Sequence, residues 1–250
     1  MKLKALTSVS LIAAAFALAA PASAQDVSWT ASIDFNSEYV FRGFGLGAES
    51  IQPGIEASIG GFTFGAWAST GIGEESIINA DEIDLYGGYA FDLSPTTSLD
   101  IGATLYHYPQ AGDVFDIGRN DASTFELYAG LGFAVPLDPS VYVYYDTSLE
   151  TLTAEGAVSY SFPTGPSTSI DLSGALGAVE PDQGDGYQYG TIGAALSYAV
   201  TDNASLYASL NGSVASEDNF LDYEDFLANP LTAQFDSNTV WYGFGVSSSF

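Results

Sequence analysis

Apolar side chains recur at every second position through most of this chain, and the positions between them are small or polar. In the segment 204–215, Leu206, Ala208, Leu210 and Val214 fall on one face against Ser205, Tyr207, Ser209, Asn211 and Ser213. The segment 123–135 sets Phe125, Leu127, Leu131 and Phe133 against Glu126, Tyr128, Gly130 and Gly132. A period of two belongs to a β-strand whose two faces meet different surroundings. Followed along the chain, it predicts about twelve strands, near residues 27–42, 52–60, 62–70, 82–92, 97–108, 123–135, 140–147, 151–162, 167–179, 187–200, 204–215 and 238–250.

Alternation alone does not separate a soluble sandwich, apolar faces inward, from a membrane barrel, apolar faces outward. The connections favour the barrel. Gly60-Gly61, Leu93 to Thr96, Pro136 to Pro139, Pro163 to Pro166 and Thr201 to Asn203 read as tight turns. The links between them are longer, apart from Ser148 to Glu150, and the longest are Pro109 to Ala122 and Ser216 to Ser237. Short turns on one side and long loops on the other are the signature of an outer-membrane barrel with both termini periplasmic. Aromatic residues near the strand ends suggest two interfacial belts. Trp29, Phe62, Phe91, Tyr160, Phe162 and Tyr198 lie toward the turns; Tyr39, Phe41, Tyr145, Tyr187, Tyr189 and Tyr242 lie toward the loops.

Both ends of the chain agree with this class. Lys2 and Lys4 precede an apolar run that closes on Ala22-Ser23-Ala24, so residues 1–24 read as a cleaved secretory signal peptide, leaving 25–250 as one barrel domain. From Asn238 the final strand places Val240, Tyr242, Phe244, Val246 and Phe250 on one face. An alternating strand with a terminal Phe resembles the closing strand of bacterial outer-membrane barrels, which their assembly machinery reads. The expected location is therefore the outer membrane, among its lipid and lipopolysaccharide.

The composition narrows the partners. Beyond the signal peptide the basic residues are Arg42 and Arg119, against 31 acidic ones in the chain, so nucleic acid is disfavoured. Without cysteine there are neither disulfides nor thiolate metal sites. The 16 Tyr, 16 Phe and 3 Trp argue against the disorder that such acidity alone would suggest.

The run Ser37-Glu38-Tyr39-Val40-Phe41-Arg42-Gly43 is followed by Gln52-Pro53-Gly54-Ile55-Glu56-Ala57-Ser58, then by Gly61-Phe62-Thr63-Phe64-Gly65-Ala66-Trp67-Ala68-Ser69 and Glu82-Ile83-Asp84-Leu85-Tyr86-Gly87-Gly88-Tyr89. This series resembles the TorF-type porins of proteobacterial outer membranes, also called Gcw proteins. The resemblance covers residues 26–92 and implies a porin-like barrel. Phe44-Gly45-Leu46-Gly47 departs from the polar segment expected after Arg42.

If each strand keeps its register, Asp34, Glu38, Glu56, Glu82, Asp84, Asp100, Glu126, Glu155 and Asp171 face the lumen, with Arg42 as the one cation among them. Carboxylates are costly in hydrocarbon and belong on the wet side of a barrel wall. They would either attract cations to a conduit or serve the interior by hydrogen-bonding Tyr86, Tyr106, Tyr128 and Trp67. Glu38 and Arg42, four apart on one strand face, are expected to pair with each other or with a neighbouring carboxylate. His107, the sole histidine, shares parity with Leu99, Ile101 and Leu105 and reads as an interfacial ring on the lipid side. Spacing places no hydroxyl and acid beside it. The acidic loop clusters Glu74-Glu75, Asp182-Gln183-Gly184-Asp185 and Glu217-Asp218 through Asp222-Tyr223-Glu224-Asp225 lack the spacing of an EF-hand and read as solvated surface. The Asn203 and Asn211 glycosylation patterns fall in or beside a strand and are discounted.

The expectation is an all-β, antiparallel transmembrane barrel acting as a porin-like channel. It would pass small cationic or neutral solutes by diffusion, with no cofactor, metal or enzymatic activity. The alternative is a plugged barrel serving as a structural or adhesive surface protein.

Overall fold

The computed structural model describes residues 27–73, 81–231 and 233–250. The expected signal peptide and the Glu74-Glu75 pair lie outside these. The strands are β1 (Ser28–Asn36), β2 (Tyr39–Phe41), β3 (Phe44–Gly47), β4 (Ser50–Ile59), β5 (Phe62–Gly71), β6 (Glu82–Ser94), β7 (Thr97–His107) and β8 (Ser123–Phe133). They continue with β9 (Ser140–Asp146), β10 (Thr151–Pro163), β11 (Thr168–Glu180), β12 (Tyr187–Ala199), β13 (Ala204–Ala215), β14 (Phe220–Leu221), β15 (Phe235–Asp236) and β16 (Asn238–Ser249). A short helix, α1 (Tyr223–Ala228), sits between β14 and β15.

Twelve of these strands close into one antiparallel barrel in the order β1-β16-β13-β12-β11-β10-β9-β8-β7-β6-β5-β4. Closure leaves no unpaired sheet edge, the condition for a backbone that crosses hydrocarbon. The last strand completes the ring against the first, from Thr30 opposite Ser249 to Asn36 opposite Gly243. The seam is extended by Trp29 and Phe250, which exchange backbone hydrogen bonds of 2.8 and 2.9 Å.

The predicted alternation sorts the faces. Leu176, Ile192, Leu210, Val240 and Phe244 stand exposed on the outside, while Asp84, Asp171, Thr153 and Gln52 are buried inside. Phe62, Phe91, Tyr160, Phe162 and Tyr198 are exposed at the turn end, and Tyr145 and Tyr242 at the loop end. The loop-side belt is thinner than expected. Tyr39 and Tyr189 are buried within the barrel, and the Tyr187 hydroxyl donates to the Arg42 carbonyl there.

The largest departure from the sequence reading is at strand 1. Instead of running from 27 to 42, β1 stops at Asn36; the chain bends at Ser37-Glu38 and folds back as the hairpin β2–β3 inside the barrel. Phe41 pairs with Phe44 across a two-residue turn, and both turn residues have positive φ, 47° at Arg42 and 73° at Gly43. That conformation matches the right-handed twist of a tight hairpin and favours Gly at one position; Arg42 adopts it against its own preference. The long link 216–237 also folds locally, as β14 paired with β15 around α1.

Candidate functional site

The hairpin crosses the lumen from the β1–β4 side to the far wall. At its tip the Arg42 guanidinium donates twice to Glu126 on β8, at 2.6 and 2.9 Å, in the bidentate geometry that suits a carboxylate. The guanidinium carbon lies 3.7 Å from the centre of the Tyr144 ring on β9 and 4.6 Å from that of Phe41. Burial opposes the charge on Arg42, but its bonds and Coulomb attraction to Glu126 outweigh that and raise its pKa. Along its length the hairpin meets Trp67 through Tyr39, at 5.4 Å between rings, and Tyr189 through Gly43. Val40, Phe220 and Trp241 form a small apolar cluster inside the barrel, with Ala215 packed against it. The segment Asn219-Phe220 closes over the hairpin: the Gly45 backbone amide donates to the Asn219 carbonyl at 3.1 Å, and the Asn219 side-chain amide donates to the Gly43 carbonyl at 3.2 Å.

Glu38 and Arg42 therefore do not share a strand face and do not pair. Both enter the lumen from the inserted segment rather than from the wall. Glu38 accepts a hydrogen bond from Thr239 on β16, and its second carboxylate oxygen is buried without a partner. Burial pushes its pKa up to about 7 against the opposing pull of the Thr239 hydroxyl.

The wall carboxylates follow a rule. Tyr86 on β6 is in register with Gly65 on β5, and Gly65 with Glu56 on β4; the tyrosine lies over the glycine and donates to the glutamate at 3.2 Å. Tyr142, Gly130 and Asp100 repeat this on β9, β8 and β7, with a bond of 3.1 Å. Tyr189, Gly177 and Glu155 repeat it on β12, β11 and β10. Tyr207, Gly245 and Asp34 repeat it in the opposite sense on β13, β16 and β1, at 2.8 Å. Each barrel strand contributes once. Any side chain at these glycines would overlap the ring or carboxylate above it, so the inner wall alternates small and large to lay the rings flat.

Of the remaining predicted residues, Asp171 accepts from Ser169 at 3.1 Å and Ser197 at 2.5 Å. Glu126 also accepts from Tyr106 at 2.9 Å. Glu82 accepts from Tyr108 at 3.3 Å and from Tyr39, and its carboxylate lies against that of Asp84. Tyr86 and Tyr106 thus bond carboxylates as the sequence suggested.

His107 lies at the loop end with its Nδ1 3.0 Å from the Ser123 hydroxyl. Ser123 is fully buried and donates to the Val114 carbonyl, so its oxygen accepts from the imidazole. That polarity is the reverse of a base activating a nucleophile. In the loops, Arg119 pairs with Asp182 at 3.2 Å and Glu150 at 3.6 Å. Among the described residues no three acidic or metal-binding side chains gather as a metal site.

A family model for bacterial proteins of unknown function, Gcw_chp, matches residues 19–224. The chain belongs to the Gcw_chp family. No curated protein sequence matches it significantly. Among solved structures it is similar to the KdgM porin, at 13% identity and a TM-score of 0.54, over 89% of this chain and 99% of that one. KdgM in complex with disordered oligogalacturonate matches equally, and the NanC porin matches at 12% identity and 0.54, over 87% and 98%. At such identities the likeness is one of fold, and that fold is the closed barrel of outer-membrane porins.

Two features of this Gcw_chp barrel escape the sequence reading. Asp146, buried at the end of β9, accepts the backbone amides of Ser148 and Leu149 at 2.8 and 2.7 Å and so shapes the short loop 147–150. The inserted hairpin had a signal: Phe41-Arg42-Gly43-Phe44 sets two aromatics around a dipeptide ending in Gly, a two-residue turn.

Proposed function

We propose that this Gcw_chp protein is an outer-membrane diffusion channel, constricted by the inserted hairpin and favouring small cations over anions. The observation that carries it is the imbalance of lumenal charge. The wall and hairpin hold buried carboxylates around the barrel, and Arg42, the cation among them, is bound to Glu126. In a narrow aqueous path such an array raises the local concentration of cations and repels anions. KdgM is known with a bound oligogalacturonate, a polyanion; the acidic wall of the present barrel would repel such a ligand.

This reading includes kinship with the TorF-type porins, removal of residues 1–24 during export, and recognition of the terminal strand by the barrel-assembly machinery. It also places both termini in the periplasm and the loops toward lipopolysaccharide. The protein folded in detergent and inserted into a planar bilayer should give discrete conductance steps.

A second reading is a plugged barrel with a structural or adhesive role. It is favoured by the contacts of β2–β3 with inner-wall residues on several sides and by the packing of Phe220 over it. Folded, inserted protein that gives no steps, together with steps when residues 39–47 are deleted, would establish the plug instead.

A further inference from the structure

Every predicted lumenal carboxylate but one is matched to a hydrogen-bond donor from a tyrosine, serine, threonine or arginine. The exception is Asp84. It is 2% exposed, one of its oxygens has no partner, and the group its side chain meets is the carboxylate of Glu82, itself 4% exposed. Two ionised carboxylates cannot share such a contact unless a positive charge lies between them. No arginine supplies it, since Arg42 is committed to Glu126 and Arg119 to Asp182 and Glu150.

We propose that Glu82 and Asp84 bind a hard divalent cation of the calcium and magnesium class inside the loop end of the barrel. The two carboxylates lie two residues apart on the inner face of β6, so their side chains project to the same side. Two negative charges are balanced by one divalent ion, and the unpartnered oxygen of Asp84 gains a partner. The phenols of Tyr39, from the inserted hairpin, and Tyr108, from the loop after β7, bond Glu82 and wall the site. Trp67 and Tyr106 flank Asp84 in register on β5 and β7. Among the described residues no third His, Cys, Asp or Glu joins the pair in ligand geometry, so phenol oxygens and retained water would complete the shell. Because Tyr39 belongs to the hairpin, the ion would tie the inserted segment to the wall. The site stands whether or not the lumen conducts.

Terbium tests this directly, because its emission is sensitised by nearby tyrosine and Tyr39 and Tyr108 border the pair. Detergent-folded wild-type protein titrated with Tb3+ should show saturable tyrosine-sensitised luminescence that Ca2+ displaces and Na+ at the same ionic strength does not. Asp84→Asn, checked for folding by heat-modifiable migration, should weaken Tb3+ binding at least about tenfold, whereas Glu217→Gln in an exposed loop should leave it unchanged. If Asp84→Asn does not fold, Glu82→Gln is read in its place, and the wild-type thermal midpoint should rise in CaCl2 over NaCl. Absent wild-type luminescence with no calcium-dependent midpoint would overturn the proposal and assign a shared proton to the pair. Luminescence undiminished in a folded Asp84→Asn or Glu82→Gln variant would overturn it in favour of the acidic loops.

Discussion

Arg42 and Glu126 meet across the lumen through two hydrogen bonds of 2.6 and 2.9 Å, one residue brought by an inserted turn and the other by the opposite wall. Breaking one side of such a buried pair strands the other charge, at a cost of about 3–5 kcal/mol. Arg42→Ala should therefore lower stability toward urea by that order and release the hairpin tip, with a larger single-channel conductance. Arg42→Lys should fall between the wild type and Arg42→Ala, because an ammonium cannot make the bidentate bond or stack as well on Tyr144. Combining Arg42→Ala with Glu126→Gln should cost less than the two single changes added together, since the double variant leaves no unpaired charge.

The Tyr–Gly–carboxylate registers give a second test. Gly130→Val places a side chain where the Tyr142 ring lies and should destabilise the barrel by about 1–3 kcal/mol, as overpacking does. Tyr142→Phe keeps the ring and removes the donor to Asp100; a cost of about 1–3 kcal/mol is expected for the carboxylate left short of a partner. Urea unfolding followed by tryptophan fluorescence measures both. If Gly130→Val is as stable as the wild type, the glycine is not needed to seat the ring.

Glu38 makes docking of the hairpin depend on pH. Its ordinary pKa of 4.5 rises to about 7 in the folded barrel because burial disfavours the charged form. The folded state thus holds the proton more tightly, so docking is strongest below pH 4.5 and weakens as the pH climbs to about 7. The full effect is on the order of 3 kcal/mol. Conductance measured at pH 5 and pH 8 should be lower at the acid value, and Glu38→Gln should remove most of the difference.

Orientation is checked by labelling. Cysteine at Asp113 or Asp185, both on exposed loops, should react with an impermeant reagent in intact cells, and cysteine at Asp138 in a tight turn should not. The reverse pattern would invert the barrel.

The wall of the barrel was legible in the sequence because one side of each strand meets hydrocarbon. A single-residue slip would bury Leu176 or Val240 and expose Asp171 or Trp241, so the period of two fixes register as well as class. The inserted hairpin was masked despite its Arg42-Gly43 turn dipeptide, because Tyr39 and Phe41 extend the alternation of Ile33 and Phe35, which a membrane strand also satisfies. What ends β1 is Ser37, whose hydroxyl accepts the Tyr242 amide while its own amide donates to the Tyr242 carbonyl, releasing the chain from the wall. The pairing of Arg42 was equally hidden. Four-residue spacing suggested Glu38 or an unspecified neighbouring carboxylate, whereas the partner, Glu126, lies 84 residues away and meets Arg42 only once the ring has closed. The tyrosine registers depend on which strands are neighbours and at what offset, which local periodicity does not carry.

The proposed channel is a cation-favouring path through the lumen. The decisive measurement is the reversal potential of the wild-type protein in a planar bilayer with a tenfold KCl gradient. The potential should have cation-selective sign and shrink as total salt rises, because the Debye length falls below its value of about 8 Å at physiological ionic strength. Neutralising Glu38 and Glu126 together should reduce it further, and neutralising Glu217 in the exposed loop should change it little. A reversal potential of anion-selective sign in the unmodified protein would rule out a cation-favouring lumen.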